Sequence, residues 1–83
     1  MKVYILFETD RWLTKSSSTI IAVCTTKKKA IDLCEEIILK RNDISYEDKI
    51  YSIGQMIGDN QTQGRLMYNY YIEEYSCNKM ILG

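Results

Sequence analysis

Thr19-Ile20-Ile21-Ala22-Val23-Cys24-Thr25-Thr26-Lys27-Lys28-Lys29-Ala30-Ile31 is the stretch on which the fold of this chain turns. As far as Thr25 it is β-branched or small and apolar, the composition of a strand. Beyond Thr26 the period changes. Ala30, Ile31, Cys34, Ile37 and Ile38 recur at helical spacing and share one side of a helix, while Lys28, Asp32, Glu35 and Glu36 fall elsewhere on it. A hydroxyl from Thr25 or Thr26 suits the free N–H groups of the first turn. Lys40 and Arg41 sit favourably at the negative end, before Asn42-Asp43 breaks the helix at about Lys40.

Upstream, Val3 to Asp10 alternates Val3, Ile5, Phe7 with Tyr4, Leu6, Glu8, a second strand signal. Its first half is apolar on both faces, which suits a central or doubly covered strand. The two strands lie close in sequence, so an antiparallel hairpin is the simplest connection. Its loop, Arg11 to Ser18, carries the only tryptophan, Trp12.

Downstream, Ser45 followed by Asp48 resembles a capping box. Tyr46, Ile50, Ile53 and Ile57 then fall on one helical face, with Gly58 as a stop. A helix over Ser45 to Ile57 is preferred to a strand over Ile50 to Ile57, in which Ile53, Gln55 and Ile57 would alternate. The polar run 58–64 is loop. From Arg65 to Ser76 strand alternation returns, with Leu66, Tyr68, Tyr70 and Ile72 against Met67, Asn69, Tyr71, Glu73 and Tyr75. Residues 78–83 read as a short extra strand or a frayed tail. The order β-β-α-(α)-β predicts a single α+β domain over 1–83. Its small antiparallel three-stranded sheet carries helices packed on one face, and the last strand lies beside the first.

Composition limits the chemistry. In 83 residues, 46% are hydrophobic and 27% charged, the balance of a globular chain. Eleven basic and eleven acidic residues cancel, which argues against a strongly basic nucleic-acid binder. The chain has no histidine, which removes Ser-His-Asp and Cys-His sites and histidine metal sites. Three cysteines, Cys24, Cys34 and Cys77, form no CxxC pair and suit reduced thiols in a cytoplasmic protein. No apolar run is long enough to cross a membrane. No glycine-rich phosphate loop is present. Glu8 and one of Glu73 or Glu74 would come close if the first and last strands pair, but solvent-facing strand ends account for them more simply. The reading is non-enzymatic, with no cofactor and no metal.

Two departures from average remain. Lys27, Lys28 and Lys29 sit at the positive end of a helix, where the dipole disfavours them, so an anionic partner such as nucleic acid or phosphate is the alternative function. Seven residues are tyrosine, four of them (Tyr68, Tyr70, Tyr71, Tyr75) in the last strand region. If one face of that strand packs on the helix, Tyr71 and Tyr75 stand out on the other. With Glu73 beside them and Trp12 in the hairpin loop, they form an expected protein-contact set. An exposed strand edge also makes a homodimer a candidate assembly.

The opening Met-Lys-Val-Tyr-Ile-Leu, the run from Ile20 to Ala30 and the ending Tyr70-Tyr71-Ile72-Glu73-Glu74-Tyr75 resemble small uncharacterised proteins of bacteria, phages and mobile elements of the β-hairpin–helix–strand type. Such proteins include inhibitors of host defence systems, among them anti-CRISPR proteins. The resemblance implies an inhibitor that acts by occluding a protein partner. It defines no catalytic residues.

Overall fold

The computed structural model describes residues 2–63 and 66–76. The first strand, β1 (Lys2–Thr9), is central in an antiparallel sheet of order β2-β1-β3, between β2 (Thr19–Cys24) and β3 (Asn69–Ser76). The α+β architecture and the return of the last strand beside the first are those the sequence predicts. The β1–β2 register shifts between Leu6 and Phe7, where Ile21 is the extra residue: Leu6 faces Ala22, and Phe7 faces Ile20.

Helix α1 (Lys27–Lys40) starts at Thr26, whose side chain accepts a hydrogen bond from the N–H of Lys29 at 3.1 Å. It lies across all three strands. Because residues opposite one another in a sheet share a face, the register sorts the side chains. Tyr4, Leu6, Ala22, Cys24, Tyr70 and Ile72 face α1, and Leu6, Tyr70 and Ile72 enter the core with Ala30, Cys34 and Ile38. Val3, Ile5, Phe7, Val23, Tyr71, Glu73 and Tyr75 face the other way.

Helix α2 (Tyr46–Asp59) settles the ambiguous segment as helix, capped by the Ser45 side chain, which accepts from the N–H of Asp48. It differs from expectation in two ways. It passes through Gly58 and ends at Asn60, which takes a left-handed conformation with φ 63°. Its buried side is Ser52, Ile53 and Met56, so of the expected apolar stripe only Ile53 is buried, while Tyr46, Ile50 and Ile57 stay exposed. The helix packs on α1 rather than on the sheet, and one neighbouring helix covers only a narrow stripe.

The last strand starts at Asn69 rather than Arg65. The expectation for residues 78–83, and that for Cys77, fall outside the described residues. Among those described, no helix is long and apolar enough to cross a membrane.

Candidate protein-contact face

One side of the sheet packs on α1; on the other, no helix lies among the described residues. Strand alternation explains its composition: with β1 and β2 apolar at nearly every position, the residues pointing away from α1 are also Val3, Ile5, Phe7 and Val23. Val23 is 59% exposed, and Val3, Ile5 and Phe7 are half-buried. The one charged residue turned to this face from β3 is Glu73, which accepts a hydrogen bond from the Tyr75 hydroxyl at 2.6 Å. That carboxylate raises the Tyr75 phenol above its ordinary value.

The tyrosines divide differently from expectation. Tyr75 is 39% exposed, as predicted. Tyr71 is not the exposed ring the alternation suggested: it is 7% exposed, stacked on Phe7 with ring centroids 4.7 Å apart, and its hydroxyl shares a 2.7 Å hydrogen bond with Ser18. Two loops seal it. The hairpin loop folds back over this end of the face, held by Asn69 Nδ2 donating to the Arg11 carbonyl at 3.0 Å. On the other flank Gln61 forms a bridge with Tyr71. Between these loops lies a cleft of about 240 Å³ lined by Leu13, Asn60, Gln61, Tyr71 and Glu73. Asn60 Oδ1 is buried and has no hydrogen-bond partner among the described residues.

Asp10 organises the hairpin loop. Its carboxylate accepts from the N–H groups of Thr14 at 2.9 Å and Trp12 at 3.1 Å, and those bonds, the Thr14 one foremost, hold it below the usual carboxylate range. The turn this creates leaves Trp12 78% exposed at the rim. Tyr75 stands at the opposite end, facing Val3, whereas the loop end is marked by Thr9 facing Asn69. Six residues of strand separate them, about 20 Å at ~3.4 Å per residue. The predicted contact residues therefore do not form one cluster. Trp12 in the hairpin loop and Tyr75 stand at opposite ends of an apolar strip, with Tyr71 buried beside Phe7 at the loop end and Glu73 opposite Ile5 on its flank.

The titratable and nucleophilic groups are placed otherwise. Antiparallel pairing sets Glu8 against Tyr70, Glu73 against Ile5 and Glu74 against Tyr4, so Glu8 does not pair with Glu73 or Glu74, in line with the simpler reading of these residues. Glu74 pairs instead with Lys2 at 3.2 Å. Among the described residues no group of three His, Cys, Asp or Glu is placed to hold a metal ion. The Cys34 thiol is pushed up to about 12 by burial. Glu8 accepts from the Tyr70 hydroxyl at 3.0 Å, and Arg41 donates to that same hydroxyl at 3.0 Å while gripping Asp43 through Nε and Nη2. Sequence reading missed this network because its members lie 29 and 62 positions apart.

Lys27, Lys28 and Lys29 are all exposed at the start of α1. Lys28 reaches Asp32 at 2.7 Å, one turn along, and this contact raises the lysine above its ordinary value. Lys27 lies close enough to Glu74 to help lower that carboxylate, behind the larger effect of Lys2. Two of the three cations thus have an acidic neighbour within the fold. No protein-family model, no curated protein and no solved structure matches the chain.

Proposed function

We propose that the protein is a non-enzymatic binding module that captures a protein partner on the uncovered face of its sheet. The observation that carries this reading is the strip Val3, Ile5, Phe7 and Val23, with Trp12 and Tyr75 at its two ends, in a molecule whose other sheet face packs its centre on α1. A contiguous apolar surface exposed to water is unfavourable by about 25 cal/mol per Å² relative to burial, so covering it supplies a binding free energy. Rigid aromatic rings at the two ends add contact area at little rotamer cost.

The reactive groups support the non-catalytic part. Tyr70 and Cys34 are both held protonated near neutral pH, each pushed up to about 12, and Glu8 is engaged by Tyr70. A molecule of this kind acts by occluding the surface it covers, as an inhibitor of a host protein would, in keeping with the resemblance to phage and mobile-element proteins.

The test is partner capture from the native host by the immobilised protein, compared across variants. The double substitution Trp12→Ala with Tyr75→Ala removes two exposed rings and should abolish capture while leaving urea unfolding nearly unchanged. Replacing Lys27, Lys28 and Lys29 with alanine should leave capture intact. The opposite pattern, with loss on removing the lysines and a steep fall with salt, would instead favour an anionic partner.

A further inference from the structure

The two flanks of the sheet are not alike. Beside β3 runs the segment Asn60–Thr62: the Ile72 N–H donates to the Asn60 carbonyl at 2.8 Å, and the Thr62 N–H donates to that of Tyr70 at 2.8 Å. The Thr62 hydroxyl and Asn69 Oδ1, 2.8 Å apart and buried, lock that seam. On the other flank β2 is an edge strand, with no strand or bridge beside it among the described residues. An edge turns a row of N–H and C=O groups outward, and proteins ordinarily protect it with charge or proline. Thr19-Ile20-Ile21-Ala22-Val23-Cys24 has neither, and Ile20 and Val23 are more than half exposed. The register shift at Ile21 is the one interruption.

We infer that β2 pairs antiparallel with β2 of a second copy of this chain, edge to edge about a two-fold axis, to make a six-stranded sheet. A second copy fits this edge for three reasons. Pairing through the same edge on both copies closes on itself, and with Asn60–Thr62 covering the start of β3 the assembly stops at two. Zero formal net charge at neutral pH puts no overall repulsion between copies. The local charges also select the antiparallel sense. Parallel pairing would stack one Lys27–Lys29 cluster on the other, whereas antiparallel pairing sends them to opposite ends of the joint. Each cluster then lies along the other copy's corner lined by Glu8, Asp10, Ser17 and Thr19. Exposed Arg11 in that loop offsets part of the attraction, so the salt dependence is shallow. With the axis between Ile21 and Ala22, Thr19 of one copy lies opposite Cys24 of the other, both on the helix side.

This inference deepens the reading of the previous section, on which it rests, because the six-stranded sheet joins two uncovered faces into one bivalent surface. A ladder of this length makes a small interface, below about 1,200 Å², and so a dimer that dissociates on dilution. Sedimentation velocity on the full chain, from micromolar to near-millimolar, should show the mass rising from one copy to two. Ile21→Lys, which places a charge on the edge, should weaken association at least tenfold. In a Cys77→Ser background, Thr19→Cys oxidised with glutathione disulfide should give a covalent dimer through Cys24, and the background alone should not.

A monomer at the highest concentration would overturn the inference. So would a dimer that Ile21→Lys does not weaken and Thr19→Cys does not trap. If Ile21→Lys fails to fold, the cross-link decides. Tyr75→Ala lies on the far strand and leaves the dimer intact, so loss of partner capture in that variant bears on the face and not on the edge.

Discussion

Tyr71 and Tyr75 point to the same side of β3, one turn of alternation apart from being neighbours, and the fold gives them opposite duties. Tyr71 is closed in by Phe7, Ser18 and Gln61. Tyr71→Ala should therefore destabilise the protein by about 3–4 kcal/mol, as truncation of a buried aromatic does. Tyr75→Ala should cost less than about 1 kcal/mol. Urea titrations of the two variants check this, and similar midpoints would mean that Tyr71 is not held as described. Asp10 belongs to the same scale. Its carboxylate is held below the ordinary value of 3.8 by loop N–H groups, chiefly that of Thr14. A depressed carboxylate stabilises the folded state above its unfolded value and loses that contribution as pH falls through the folded one. The acid limb of stability should consequently flatten below about pH 4 in Asp10→Asn, measured as the urea midpoint across a pH series.

At the scale of the element, α2 holds two local conflicts that substitution should relieve. Ser52 is buried against α1 and its hydroxyl has no partner among the described residues. Ser52→Ala removes that unmet hydroxyl and improves helix propensity, so it should stabilise by about 1 kcal/mol. In a domain of this length that is a rise of roughly 4–8 °C in thermal midpoint. A Cβ built at Gly54 meets nothing within 4 Å, so Gly54→Ala should add about 0.5–1 kcal/mol. Calorimetry on both variants is the check, and a lowered midpoint for Ser52→Ala would reveal a hidden partner for the hydroxyl. The two helices and three strands were legible because each has its own signal: Thr26 and Ser45 at the helix starts, period two in β1, β-branching in β2. What local pattern could not give was the side of α2 that packs. Tyr46, Ile50 and Ile57 are as apolar as Ile53 and Met56, and only the position of α1 decides between them.

For the molecule as a whole, β1 is apolar on both sides and does not by itself show which face α1 covers; the alternation of β3, which turns Tyr71 and Tyr75 away from the helix, does. What ties the covered side together is a polar contact between segments remote in sequence. Arg41 at the end of α1 and Glu8 on β1 meet at the Tyr70 hydroxyl on β3, and the Arg41 guanidinium also lies 5.5 Å from the centre of the Tyr68 ring. Burial first, and then Glu8, push the Tyr70 phenol up to about 12 from its ordinary 10.0, against the opposing pull of Arg41. A raised folded value means that the neutral phenol is favoured in the folded state. Its stabilising contribution is thus complete below the unfolded value near 10 and is lost as pH rises through about 12. The difference corresponds to roughly 2–3 kcal/mol at about 1.4 kcal/mol per unit. Because three elements share the hydroxyl, its ionisation should loosen the sheet and α1 together, as one cooperative alkaline transition. Tyr70→Phe leaves Glu8 and Arg41 without their shared partner and should cost about 1–2 kcal/mol at neutral pH. The same variant should flatten the alkaline limb, since no phenol remains there to ionise. Urea midpoints of the two proteins measured from pH 8 to about 12 should converge as the wild type loses this contribution, and curves that stay parallel across that range would show that the hydroxyl is not what joins the three segments.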